Sequence, residues 1–383
     1  IYNRHTSRDD ENNGDGAALA YDAGATLMDM GFIQFHPTGM AVDETDPEWE
    51  PWSGRLVTEA VRGEGGRLFN TEGERFMRRY SPDQMELDAR DVVARSIAEE
   101  VAAGRGTEHG GVYLDISHRD ADFIRERLPR MYERFQELGV DMAREPVEVA
   151  PTSHYGMGGV AVDETGETDV DGLFAIGETM AGVHGANRLG GNSLAETVAF
   201  GVVAGETVAD RVDGPGAIPA DLLDTLVDPH LTDLASTANR DGDEDVEAAL
   251  AALRDTMWEH AGILRDEESL RAGLDALEEL RERASDLDVG PVTSESFEFA
   301  VDLGFSLTAA EAVLRGALER EESRGAHYRT DYPETDEAWR RNVTIERADI
   351  GGMALSTEPV DEPSAAVQAA LDEGHELDYH QLE

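Results

Sequence analysis

The stretch His184-Gly-Ala-Asn-Arg188-Leu-Gly-Gly-Asn192-Ser193-Leu194-Ala-Glu-Thr-Val-Ala-Phe-Gly201 decides how the chain is read. It opens as a glycine-rich turn carrying one arginine. It then passes through Asn192 and Ser193, good N-cap residues, into an apolar run with helical character. Just upstream, Gly172-Leu-Phe-Ala-Ile-Gly-Glu178 reads as a short buried strand. The order is therefore strand, glycine turn, helix. Such a helix start offers free backbone N–H groups and a positive dipole end. It suits an anionic or electron-rich group. On spacing alone, an ordinary tight turn is an equal alternative.

Upstream, Gly14-Asp15-Gly16 feeds an apolar stretch, Ala17 to Ala25, that reads as a short helix closed near Gly24. Asp15 is either a turn cap or a carboxylate aimed at a ligand hydroxyl. Phe32-Ile-Gln-Phe-His36-Pro-Thr38 alternates like a strand, with Pro37 expected to stop the ladder and leave His36 extended at its end. Thr58, Glu59 and Arg62 fall within one turn. Glu59 and Arg62, three apart, can pair on one helical face or form a solvated ion pair. Leu68 to Met77 looks like strand, turn and strand. Arg90 stands at the first turn of a helix, where the dipole prefers an anion, with Asp91 as partial offset. Ala121 to Leu138 carries helical spacing and reads as one packing helix. Neither Gly63-Glu-Gly-Gly nor Gly156-Met-Gly-Gly has the full spacing of a dinucleotide fingerprint.

A chain of 383 residues accommodates two or three domains. Its 82 acidic and 32 basic residues give a formal net charge of −50. The excess is dispersed along the chain, and arginine far outnumbers lysine. Such a surface repels nucleic acid and anionic lipid. It suits concentrated salt, where screening shortens repulsion to roughly 3 Å at 1 M, so a halophilic source is expected. Cysteine is absent, which removes disulfides and cysteine-ligated clusters from this chain. No apolar run approaches the roughly 18 residues of a membrane span, and no metal site is read. Gly214-Pro-Gly216 marks a boundary, beyond which leucine stripes indicate packed amphipathic helices. Residues 357 to 383 read as a loose acidic tail.

Several of these motifs, in this order, resemble the flavoprotein subunits of succinate dehydrogenase and fumarate reductase, and their relative L-aspartate oxidase. The resemblance runs from about Gly14 to about Pro333 and includes Val147 to Gly159 and Ser323 to Pro333. It implies an α/β flavin-binding domain, partial here, interrupted by an α+β capping domain and followed by a C-terminal helical domain. The boundaries expected are residues 1–40 and 151–210 for the flavin-binding domain and 41–150 for the cap. The helical domain takes 220–330, and an extension with an acidic tail takes 331–383. His36 and His154 then sit at the two cap hinges.

The resemblance further implies FAD, contacted by Asp15, Glu178, Asn192, Ser193 and Leu194. It implies a dicarboxylate held by His36, Thr58, His154 and Arg188. A hydride would be exchanged with flavin N5 and a proton handled by Arg90, with Glu59 and Arg62 returning it. Electrons would pass to or from a separate iron–sulfur subunit, and a membrane anchor would be a further partner. The setting would be cytoplasmic, peripheral on the inner face of the membrane. The family's glycine-rich dinucleotide motif and flavin-linking histidine would lie before Ile1, so an N-terminal piece is expected to precede it or to come from another chain. Two other readings stand beside the first: L-aspartate oxidase, and a flavin-free fragment or structural subunit. The form Arg188-Leu-Gly-Gly-Asn-Ser looks more like the dehydrogenase group, since the oxidase usually carries Met-Ala-Ser after that arginine.

Overall fold

The computed structural model describes residues 1–6, 13–212, 219–349, 351–365 and 368–369. Two four-stranded antiparallel sheets and two hydrophobic cores organise them.

The first sheet carries His36 and His154. It has the order β2 (Ile33–Met40), β5 (Val147–Gly156), β4 (Val112–Asp115), β3 (Arg67–Phe69). Its apolar side packs with α4 (Arg90–Ala102) and the short helices α2 (Ala60–Gly63) and α3 (Met77–Tyr80). Val61, Leu68, Met77, Val93, Ile97 and Val149 are fully buried there. Two further helices, α5 (Ala121–Arg127) and α6 (Pro129–Glu137), add Ile124, Met131 and Phe135. The single helix expected over Ala121 to Leu138 is two. Pro129 lacks an N–H and suits a first helical position, so the chain restarts there. The second strand expected before Met77 is absent: the chain turns directly into α3.

Pro37 does not stop its strand. β2 runs on to Met40, and the ladder skips Pro37 and Thr38 between the pairs His36–Thr152 and Gly39–Ala150. A bulge is where a strand tolerates proline, since the missing N–H has no ladder bond to make. A second irregularity pairs Gln34 with Tyr155 and Phe35 with Ser153, so His154 is the extra residue. Bulges re-aim side chains, and these two re-aim the histidines.

The second sheet has the order β6 (Gly159–Val160), β1 (Leu27–Met28), β7 (Arg341–Arg347), β8 (Met353–Pro359). The β7–β8 hairpin corrects the loose-tail reading as far as Pro359; residues 370–383 lie outside the described residues. This sheet shares a core with α1 (Asp15–Asp22) and three C-terminal helices, α9 (Val246–His260), α10 (Glu267–Ala284) and α11 (Glu295–Glu319). The leucine stripes account for it: Leu253, Leu270, Leu277, Leu307 and Leu314 are all buried. Asp245, Asp266 and Ser294 cap these helices by accepting first-turn N–H bonds. Each such cap contributes about 1 kcal/mol. Between β6 and α9 the chain runs through α7 (Asn192–Arg211) and α8 (Ala220–Thr237). Gly214 to Gly216 lies outside the described residues. The strand expected over Gly172 to Glu178 is not formed. Phe174 makes one isolated bridge to Glu167, and Gly177–Thr179 is a 3-10 turn.

Candidate active site

The two bulges bring His36 and His154 edge to face, with ring centroids 5.4 Å apart. His36 is buried, and its Nδ1 accepts from the Thr38 N–H at 3.2 Å. Its proton is therefore on Nε2, ready to donate. His154 Nδ1 lies 2.8 Å from the Thr6 hydroxyl. Burial pulls His36 well below the usual histidine range, with Arg62 and Arg90 adding to it. Burial, then Arg188 and Arg90, take His154 down to about 4. Both rings are neutral at neutral pH.

Arg90 is the first residue of α4, as its sequence position suggested. Its Nε and Nη2 donate to Glu59 Oε2 at 3.0 and 2.8 Å, and its Nη1 donates to Gln34 Oε1 at 3.2 Å. Glu59 also faces Arg62, whose Nη2 lies 3.5 Å from Oε1. Arg62 is fully buried and donates to the Glu86 carbonyl. Burial opposes charge on Glu59, but Arg62 and Arg90 outweigh it and hold the carboxyl below its ordinary value. Burial lowers Arg62 as well. The result is a file, Arg62–Glu59–Arg90, running from the interior to the turn that carries Arg188. Arg90 Nη2 lies against Gly190 of that turn, where a Cβ would sit 3.2 Å from it.

Gln34 is the residue that sequence reading missed. It is wholly buried and stands on the His36 face of β2. Its amide donates to Asn187 Oδ1 at 2.8 Å and to the Arg188 carbonyl at 2.7 Å. Asn187 in turn donates to Asp91 of α4 at 2.7 Å. The signal was present in the alternation Gln34, His36, two apart on one face. Arg188 itself is buried, with its guanidinium 4.4 Å above the Tyr155 ring. Thr58 stands in the turn before α2, half-buried.

A cleft of about 180 Å³ opens beside His154. Asp15, Gly16, Tyr155, Gly156 and Glu178 line it. Glu178 accepts from the Gly156 N–H at 2.9 Å, and burial pushes its carboxyl upward. The start of α7 differs from expectation. Gly191, at φ 81°, is the N-cap, and Asn192 and Ser193 are the first helical residues with no side-chain cap. A left-handed turn exit selects glycine over asparagine or serine. The Asn192 N–H goes to the Leu189 carbonyl at 3.3 Å, and without a side-chain cap the Ser193 and Leu194 N–H groups stay available to carbonyl acceptors. Leu194 is 77% exposed beside them. These donors, with Asp15 and Glu178 in the cleft, fit a planar ring rich in carbonyls that carries a polyhydroxyl arm. A second cavity of about 630 Å³, lined by Arg4, Glu44, His109 and Trp258, contains none of these residues.

Known proteins carry the same pattern. Residues 2–194 match the family model for an FAD binding domain, and 250–370 match that for the fumarate reductase flavoprotein C-terminus. The chain belongs to the succinate dehydrogenase/fumarate reductase family of FAD-dependent flavoproteins. It is 46% identical to a subunit of the fumarate reductase (CoM/CoB) of Methanothermobacter marburgensis over 345 residues, 89% of this chain and 61% of that one. It is 39% identical to the L-aspartate oxidase of Pseudomonas aeruginosa, over 86% of this chain and 57% of that one. A solved quinol-fumarate reductase superposes with a TM-score of 0.84 at 34% identity, covering 95% of this chain and 65% of that one. Sdh1 of Mycobacterium smegmatis gives 0.83 at 38% identity, covering 98% and 63%. The chain thus spans about three fifths of the length of these relatives. No described helix is long and apolar enough to cross a membrane.

Proposed function

We propose that this flavoprotein interconverts succinate and fumarate. The observation that carries the reading is the convergence of Arg188, Arg90, His36 and His154 around the file Arg62–Glu59–Arg90. Arg188 offers a planar fork to one carboxylate of a four-carbon diacid, with His154 beside it. His36, through Nε2–H, and Thr58 take the other carboxylate. Holding both ends fixes the central carbons between Arg90 and the cleft. FAD, held by Asp15, Glu178 and the start of α7 at Asn192, Ser193 and Leu194, supplies hydride transfer when bound.

Arg90 places its proton on the adjacent carbon in the reductive direction. A free guanidine has a pKa above about 12, so this works only if the lost proton is replaced at once. Glu59 bonds Arg90 through one oxygen and faces Arg62 through the other. It can receive a proton at one end while giving one at the other. His36 and His154 are kept neutral by burial and by the surrounding guanidinium groups, so they bind without competing as acids.

Electrons pass to or from a separate iron–sulfur protein, with a membrane anchor at the inner face of the cell membrane as a further partner, a reading supported by the similarity to a quinol-fumarate reductase. Oxidation of L-aspartate is the second reading, favoured by relatives at 36% and 39% identity. One comparison separates them: dye-coupled reduction of fumarate without oxygen, against peroxide formation from L-aspartate in air, both with the FAD-loaded protein. Fumarate turnover without aspartate-dependent peroxide is expected. Peroxide from aspartate at a comparable rate would replace the first reading by the second.

A further inference from the structure

Among the described residues, Arg188 lacks what a buried guanidinium usually has, a carboxylate partner. Among the described residues its polar contacts are two long ones, from Nη1 to the Leu189 carbonyl and to the Ser193 hydroxyl, both at 3.4 Å. Its buried Nε has no partner among them. What does lie against it is the face of Tyr155, with the guanidinium carbon 4.4 Å from the ring centroid.

That ring is held from behind. The Tyr155 hydroxyl donates to Glu196 Oε2 at 3.3 Å and lies 3.3 Å from His184 Nε2. His184 Nε2 is also 3.7 Å from the same Glu196 oxygen, and the other Glu196 oxygen is buried without a partner among the described residues. Tyr155 belongs to a small apolar cluster with Phe32 and Met157, against which Ala186 and Ala326 pack. Burial and the neighbouring Glu196 push the phenol well above its ordinary value, so it stays a donor. A phenol donating to a carboxylate gains electron density in its ring, which strengthens the ring's hold on a cation above it.

We propose that Tyr155, anchored by Glu196 and His184, is the positioning platform of Arg188. The aromatic face balances the guanidinium in place of a carboxylate. A carboxylate on Arg188 would compete with the substrate for the same donors; a ring face leaves the fork free. This arrangement makes the site selective for anions that bring their own carboxylate. The proposal rests on the reading of Arg188 as the substrate fork.

The test uses malonate, a dicarboxylate without a reducible double bond, titrated into the FAD-loaded protein and followed by flavin absorbance. Tyr155→Leu removes the ring and is expected to raise the malonate Kd about 30-fold, the scale of a desolvated cation–π contact. Tyr155→Phe keeps the ring and is expected to stay within about 3-fold of wild type. Glu196→Gln keeps an acceptor but loses the charge, and a rise of about 3-fold is expected. KM for fumarate should follow Kd while kcat changes less. In an Arg188→Gln background, Tyr155→Leu and Glu196→Gln should cost nothing further, because the platform acts only through Arg188. Unchanged affinity in Tyr155→Leu, or equal losses with and without Arg188, overturns the platform. If Tyr155→Leu fails to fold, Glu196→Gln decides on the same two criteria. Arg188→Gln with wild-type malonate affinity would instead remove the substrate reading of Arg188.

Discussion

Arg90 and Arg188 are both guanidinium groups at one turn, yet their surroundings give them different work. Arg188 has an aromatic face and open donors, which suits binding. Arg90 is fastened to Glu59 and Gln34, which suits transfer from a fixed place. Arg90→Gln keeps length and a donor but removes the proposed proton source. Single-turnover reoxidation of the reduced flavin by saturating fumarate is expected to fall by several orders of magnitude, and malonate affinity by much less. A wild-type rate would make Arg90 a structural cation. Arg188→Lys should reverse the balance, weakening affinity about 10-fold or more through loss of the bidentate fork while FAD stays bound. Wild-type succinate and fumarate kinetics in that variant would make Arg188 structural. His154 adds a pH dependence. Its folded value, about 4, lies below its ordinary 6.5, so the unfolded chain binds the extra proton first. The stability contributed is full above pH 6.5 and is lost as pH falls toward 4. His36, lowered in the same direction, acts alike. Melting temperature should therefore drop across that window, and His154→Gln should flatten the drop. An equal slope in the variant would assign the acid sensitivity to other groups.

At the scale of elements, the glycine turn between the 3-10 turn and α7 sets how closely Arg90 approaches Arg188. Gly190→Ala places a methyl 3.2 Å from Arg90 Nη2. The side chain must yield and loosen its bond to Glu59, so turnover is expected to fall about 10-fold, which corresponds to ~1.4 kcal/mol. Because φ at Gly190 is not in the left-handed region, melting temperature should barely move. Turnover equal to wild type would show that Arg90 has slack. The motifs carrying this arrangement were legible one by one, since Arg188 and Arg90 stand by helix starts marked by glycine or charge and His36 stands beside Pro37, although its strand runs on. Their assembly was not. Gln34 looks like one polar residue in an apolar strand until β5 pairs with β2 across more than 100 positions. The β7–β8 hairpin was hidden for the same reason. Its alternation, Val343 and Ile345 inward, is short and set in acidic sequence, and its sheet partner is Leu27, over 300 residues earlier.

For the whole molecule, charge is the dominant fact. All 32 basic residues are arginine, against 82 carboxylates. Several of those arginines are buried in internal networks: Arg265 on the Gly31 carbonyl and His327, Arg329 on Asp331, Arg320 on Glu322 and Asp29. They neutralise little of the outer surface, which leaves an acidic shell around the basic island of Arg62, Arg90 and Arg188. Self-repulsion in such a shell favours the expanded chain. Salt weakens it by shortening its range from about 10 Å at 0.1 M to about 3 Å at 1 M. Within the island the cations are screened much less, because Arg62 and Arg188 are buried and Arg90 is largely shielded. We therefore expect melting temperature to rise steeply between about 0.1 M and molar potassium chloride, with the gain slowing as the screening length falls below the spacing of neighbouring carboxylates. The same salt should weaken dicarboxylate binding only modestly, since Arg188 meets its anion in a desolvated site. Thermal melts followed by circular dichroism, with malonate titrations at each salt concentration, test both halves. A melting temperature indifferent to potassium chloride would overturn the halophile inference. Affinity falling as steeply as stability rises would place Arg188 in the screened surface rather than the buried island.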